Sequence, residues 1–133
     1  MIALENLEFQ LPDAAPFKNE AAFTGWFGKQ INNNLWFFHK ISDFSLWFKP
    51  FDSIFAYKWL VGCIEFKYTK QASCSPFAML SWSSPKKPWT QVKSLQDYAI
   101  NGWNSIVIVY SAKKHNYKIL DFSQMSLSTK IIF

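Results

Sequence analysis

The chain contains no arginine. All 14 of its basic residues are lysines, set against nine acids, for a formal charge of +5 over 133 residues. A basic balance favours a polyanionic partner. Lysine, however, is a compact point charge, whereas arginine is the usual bidentate reader of guanine edges. A nucleic-acid partner would therefore be gripped by its backbone and shape rather than read over a long sequence. Cysteine is scarce as well. Cys63 and Cys74 make no disulfide framework, and Cys63, inside an apolar run, reads as a small buried hydrophobe. The only histidines, His39 and His115, lie far apart, so no Cys/His cluster has zinc-ligand spacing. His39 reads as a partly buried strand residue rather than a catalytic base. Long apolar runs are also missing: none approaches the roughly 18 residues of a membrane span. Met1 to Gln10 carries acids and no basic start, unlike a secretory signal. The expectation is a cytoplasmic protein without a membrane partner.

Apolar material is abundant. Half the residues are hydrophobic and 20% are aromatic, enough for one domain with a single core. Residues 1–16 read as an N-terminal arm in which Leu4, Leu7, Phe9 and Leu11 mark a short strand or a packing segment. Phe23, Phe27 and Ile31 recur at helical spacing, which predicts a helix over 17–31 with Glu20 in its first turn. Leu35 to Ile41 reads as an aromatic strand. Two apolar runs, about Phe51–Tyr57 and Leu60–Tyr68, read as a hairpin, with Gly62 a candidate bulge. Thr69 to Pro88 is a long connection. A second helix is expected from Trp89 or Thr90 to Asn101, stopped by Gly102. The β-branched run Ser105–Tyr110 predicts a central, doubly buried strand. Lys113 to Asn116 reads as a turn, Tyr117–Phe122 as a last strand, and 123–133 as a tail. This order implies an α/β fold with a mixed central sheet of about five strands flanked by helices.

The hairpin carries the chemistry. With its turn centred between Lys58 and Trp59, Asp52 stands directly opposite Glu65, and opposed residues share a face. Alternation brings Lys67 to that same face. A carboxylate such as Glu65, inside Leu60-Val61-Gly62-Cys63-Ile64-Glu65-Phe66, is costly unless paired or bound to a metal. Two opposed carboxylates repel, and a divalent cation removes the repulsion. Magnesium suits such a site, because it is commonly held by one or two carboxylates with water and phosphate completing its shell. It acidifies bound water and stabilises charge on phosphate. Lys67 is then placed to hold the attacking group or the scissile phosphate. The competing reading is a cross-strand salt bridge on an ordinary hairpin. A bulge at Gly62 would shift the register by one.

Pro50-Phe51-Asp52 followed by Glu65-Phe66-Lys67 resembles the motif of the PD-(D/E)XK nuclease superfamily. The resemblance implies a restriction-endonuclease-like fold. It also implies magnesium, with manganese as a substitute, held by Asp52 and Glu65, and a catalytic Lys67. Glu20, on the preceding helix, matches a further acid of the metal site in that superfamily. Gln91, on the helix after the motif, matches a recurrent glutamine there. Small size, lysine-rich loops and the lack of a separate recognition domain look most like the Holliday-junction resolvases, homodimers that cut four-way DNA junctions. On this reading Lys70, Lys86, Lys87, Gln91 and Lys93 contact DNA.

Alternatives stand beside several residues. Glu20 in a first helical turn also suits the helix dipole. Asp43 is a rival metal ligand but also a turn residue, and Gln96 competes with Gln91. Trp47, Trp82 and Trp89 could stack on bases, fill the core or line a dimer interface. Other functions compatible with these residues are a restriction or repair nuclease of the same superfamily, or a non-catalytic nucleic-acid-binding module.

Overall fold

The computed structural model describes residues 4–33, 36–40, 53–58, 60–80 and 91–133. Asp43, Trp47, Asp52, Trp82, Lys86, Lys87 and Trp89 lie outside these. In chain order the elements are helix α1 (Glu20–Asn33), strands β1 (Phe37–Lys40), β2 (Ser53–Tyr57), β3 (Leu60–Thr69) and β4 (Ser73–Cys74), helix α2 (Gln91–Ile100), and strands β5 (Asn104–Ser111), β6 (Asn116–Asp121) and β7 (Ile131–Ile132). The central sheet has the order β1-β2-β3-β5-β6. All its neighbours are antiparallel except β3 and β5, which run parallel. The expected α/β architecture with a five-stranded mixed sheet is thus present.

Alternation along the strands divides the core into two layers. On one face, Ile64 and Phe66 of β3, with Ile106, Ile108 and Tyr110 of β5, pack against Phe23, Phe27 and Ile31 of α1. On the other face, Cys63, Val107 and Val109 pack against Val92 and Leu95 of α2. β5 is buried on both faces, as its β-branched run predicts, because a parallel pairing with β3 places it inside the sheet.

Local signals set several boundaries. Helix α1 begins at Glu20 rather than 17, because Asn19 caps it: the Asn19 Oδ1 accepts from the Ala22 N–H at 2.8 Å. Helix α2 ends as expected. Gly102 takes φ 91°, and the Gly102 and Trp103 amides donate back to Ala99 and Tyr98, closing a Schellman turn.

Other expectations are corrected. Gly62 makes no bulge: Phe55 pairs with it in an unbroken ladder from Ser53↔Ile64 to Tyr57↔Leu60. Its lack of a side chain serves the parallel partner instead, since a Cβ there would lie 2.0 Å from the carbonyl oxygen of Asn104. The 69–88 connection contains β4 and a 3-10 turn, Pro76–Met79. The chain end is more than a tail, because β7 pairs with β4 and buries Ile131. Phe122 begins a 3-10 turn instead of ending β6. His39 is exposed on β1, an edge strand, rather than partly buried.

The N-terminal arm packs on the α1 face. Its 3-10 turn, Leu4–Leu7, buries Leu7. The Tyr117 hydroxyl accepts from the Phe9 N–H and donates to the Phe9 carbonyl at 2.9 Å.

Candidate active site

Glu65 lies on β3, between β2 and β5, and is 2% exposed. Because Ile64 and Phe66 point into the aromatic layer, Glu65 points to the α2 face with Cys63 and Lys67. Among the described residues, Gln91 and Lys67 meet its Oε1. Gln91 donates from Nε2 at 2.6 Å, and the Lys67 Nζ stands at 3.6 Å. Gln91 is the first described residue of α2, on the N-terminal side of that helix, where its dipole is positive. A charged group in such a place requires this kind of compensation.

The surroundings register the charge. Burial pushes the Cys63 thiol up to about 11; its hydrogen bond with Ser105 offsets part of the rise and the neighbouring Glu65 adds to it. The Ser105 hydroxyl, itself buried, donates to the Leu95 carbonyl at 2.8 Å and fastens α2 to β5. Sequence reasoning missed Ser105, although a serine opening a β-branched strand is a visible irregularity.

The structure brings together Glu65, Lys67 and Gln91. Gln91 meets the carboxylate directly. The β2–β3 ladder holds the predicted register as far as Ser53↔Ile64, one step short of Asp52 and Glu65; Asp52 itself lies outside the described residues. Glu20 is half-buried at the start of α1, on the helix that covers the opposite face. That helix start is nevertheless anchored at the strand ends beside Lys67. The Phe17 carbonyl accepts from the Tyr68 hydroxyl at 2.8 Å, and its N–H donates to the Tyr110 hydroxyl at 3.1 Å. Neither tyrosine was singled out from the sequence. Lys70 is exposed just beyond β3. Lys93 pairs with Asp97 at 3.1 Å along α2, a half-exposed contact of small energetic weight. Among the described residues no three His, Cys, Asp or Glu side chains form a metal-binding group.

Comparison with solved structures gives the fold a precedent. The chain superposes on the Holliday-junction resolvase Hjc of Archaeoglobus fulgidus with a TM-score of 0.57. The match covers 83% of this chain and 84% of that one at 13% identity. The chain has the fold of that resolvase. No family model and no curated protein sequence matches it. The resolvase-like fold agrees with the resemblance carried by Asp52, Glu65 and Lys67. Among the described residues no helix is long and apolar enough to cross a membrane.

Proposed function

We propose that the chain is a magnesium-dependent DNA endonuclease that cuts four-way junctions by phosphodiester hydrolysis. One observation carries this reading: in a resolvase-like fold, a 2% exposed carboxylate, Glu65, is held by Lys67 and Gln91 on a central strand. A carboxylate placed there for stability alone would be a poor choice, since an apolar residue of similar size serves a core better.

The donor chemistry fits magnesium. Carboxylate oxygens are its preferred protein ligands, and one or two suffice when water and substrate phosphate complete the shell. Glu65 and Asp52 would hold the ion, with Glu20 assisting, and manganese would substitute. When bound, the ion supplies Lewis-acid stabilisation of phosphate charge and acidifies water. Gln91 fixes the orientation of the Glu65 carboxylate through its 2.6 Å bond. Lys67, with its ammonium at the same oxygen, holds the scissile phosphate or the attacking water. Lys70, Lys86, Lys87 and Lys93 would grip the backbone on either side. A homodimer would present two such sites to two strands of one junction.

The test uses labelled four-way junction, linear duplex and single-stranded DNA, each with and without magnesium. Paired symmetric nicks confined to the junction, dependent on magnesium and absent in Glu65→Gln and Asp52→Asn, are expected. Unchanged cleavage by both variants would overturn the assignment. Equal cutting of linear duplex would place the chain with another nuclease type, and binding without cleavage would make it a non-catalytic binding module.

A further inference from the structure

The parallel strands β3 and β5 end together, with Thr69 paired to Ser111. Beyond that pair the two chains are bolted to each other. The Ala112 N–H donates to the Thr69 carbonyl at 2.9 Å, and the Ser111 hydroxyl donates to the Gln71 carbonyl at 2.6 Å. The Lys114 N–H in turn donates to the Ser111 hydroxyl at 3.3 Å. On the far side of the turn His115 adopts φ 46°. One of its ring nitrogens meets the Tyr110 hydroxyl at 2.7 Å and the other meets the Pro12 carbonyl at 2.8 Å. The β5–β6 turn is therefore fixed on three sides.

This fixed turn presents charge of one sign. Lys113 and Lys114 are exposed, and so is Lys70 on the adjoining chain. Among the described residues none of the three has an ion-pair partner, in contrast to Lys67 with Glu65 and Lys93 with Asp97. The sequence has no acid from 66 to 96 or from 98 to 120, so neither chain that builds the rim supplies one. In chain terms the nearest carboxylates are Glu65, five residues before Lys70, and Asp121, seven after Lys114; Asp13 follows Pro12 on the arm that meets His115. Gathering unneutralised lysines on a rigid turn brings no folding benefit. It does pre-organise a site for a polyanion, because little side-chain and loop ordering remains to be done on binding.

The location links this rim to the candidate active site. Lys67 sits two residues before the end of β3, so the turn begins about 7 Å beyond it. At roughly 3.4 Å per nucleotide step along one strand, the rim meets a backbone about two to four steps from a phosphate held at Lys67. We propose that Lys113 and Lys114 on the β5–β6 turn, together with Lys70, contact the phosphate backbone of the DNA next to the cleaved position. This rests on the nuclease reading for the position of the scissile phosphate. Lysine rather than arginine makes the contact one of charge and placement, without base preference.

The experiment measures binding of a fluorescent four-way junction by the whole chain, without metal, across a salt series. Lys113→Ala/Lys114→Ala should weaken binding about tenfold or more near 0.1 M salt. It should also lower the slope of log affinity against log salt by about two, given roughly 0.9 per phosphate contact. The comparison variant, Lys29→Ala/Lys58→Asn, removes the same charge far from the rim. Lys29 lies late in α1, and Lys58 at the opposite end of β3, about 30 Å from Thr69; it should bind like the unaltered chain. Equal losses in both variants would reduce the effect to net charge and overturn the proposal. So would unchanged affinity and slope in Lys113→Ala/Lys114→Ala. Cleavage does not enter the measurement. A chain that bound in this way but cut nothing would overturn the nuclease reading alone, and one that cut junctions but bound equally well without the two lysines would overturn this one alone.

Discussion

The two faces of the central sheet are built on opposite principles. The α1 face is aromatic: Phe66 packs edge-on against Phe23 and Phe27 at ring-centroid distances of 5.9 and 5.5 Å, and Phe23 stacks on Tyr110 at 4.8 Å. Its hydroxyls are at the margin, where Tyr68, Tyr110 and Tyr117 hold the N-terminal arm. The α2 face has one aromatic pair, Phe77 on Phe122 at 5.7 Å, and is polar in its interior, with Glu65, Ser105 and Cys63 all buried. Adjacent residues of one strand serve both faces. The first face contributes apolar stability, whereas the second bears a buried charge that costs folding energy even with Gln91 and Lys67 beside it, which suits the proposed chemistry better than a structural role.

Neighbouring substitutions on β3 break the comparison most directly. Phe66→Ala should cost about 3–5 kcal/mol, the usual range for emptying an aromatic core position, read by chemical denaturation. Glu65→Gln should change the same midpoint little, since the neutral amide keeps the volume and removes a buried charge. Its metal-dependent cleavage should nevertheless fall by at least about 100-fold, the scale of losing a preorganised electrostatic group. A large loss of stability in Glu65→Gln would show that the carboxylate is structural.

The pH dependence of stability sharpens the same contrast. Cys63 keeps its proton in the folded chain up to about 11, against 9.0 for an ordinary thiol, with burial as the main cause. A folded-state value above the unfolded one means the folded chain holds the proton more tightly. The contribution is complete below about 9 and is lost as pH rises through 11. Denaturation midpoints should therefore drop across that interval, and Cys63→Ala should flatten the drop. Tyr117, raised to about 12 chiefly by burial, adds a later loss of the same sign, which Tyr117→Phe would isolate. The smallest expected effect is Ser105→Ala. Removing its bond to the Leu95 carbonyl should cost about 1 kcal/mol, and a change in the amide exchange of α2 would locate that loss.

Much of this arrangement was legible beforehand, and the reasons differ by element. The hairpin register followed from two apolar runs around Lys58, because a one-residue slip would turn every buried side chain to the wrong face. Lys58, at φ 47°, sits in the tight turn that such a register requires. The β-branched run of β5 announced a doubly buried strand, and Asn101-Gly102 announced the end of α2. By contrast, β4 and β7 are two residues each and 57 positions apart, from Cys74 to Ile131. Strands that short have no periodicity to read. Helix α1 starts three residues later than the apolar spacing predicts, because the Asn19 side chain caps it.

The candidate site divides in the same way. Glu65 stood out as an acid within an apolar strand, and alternation alone brought Lys67 to its side. Only the packing of α2 across the sheet placed Gln91 on the carboxylate, because the contact joins residues 26 positions apart. Only the parallel pairing of β3 with β5 brought Lys70 alongside Lys113 and Lys114. Local sequence determines which face a side chain takes and where a helix or hairpin ends, since these depend on neighbouring residues. Which distant groups meet at that face depends on how the layers close, and the tertiary structure alone decided that.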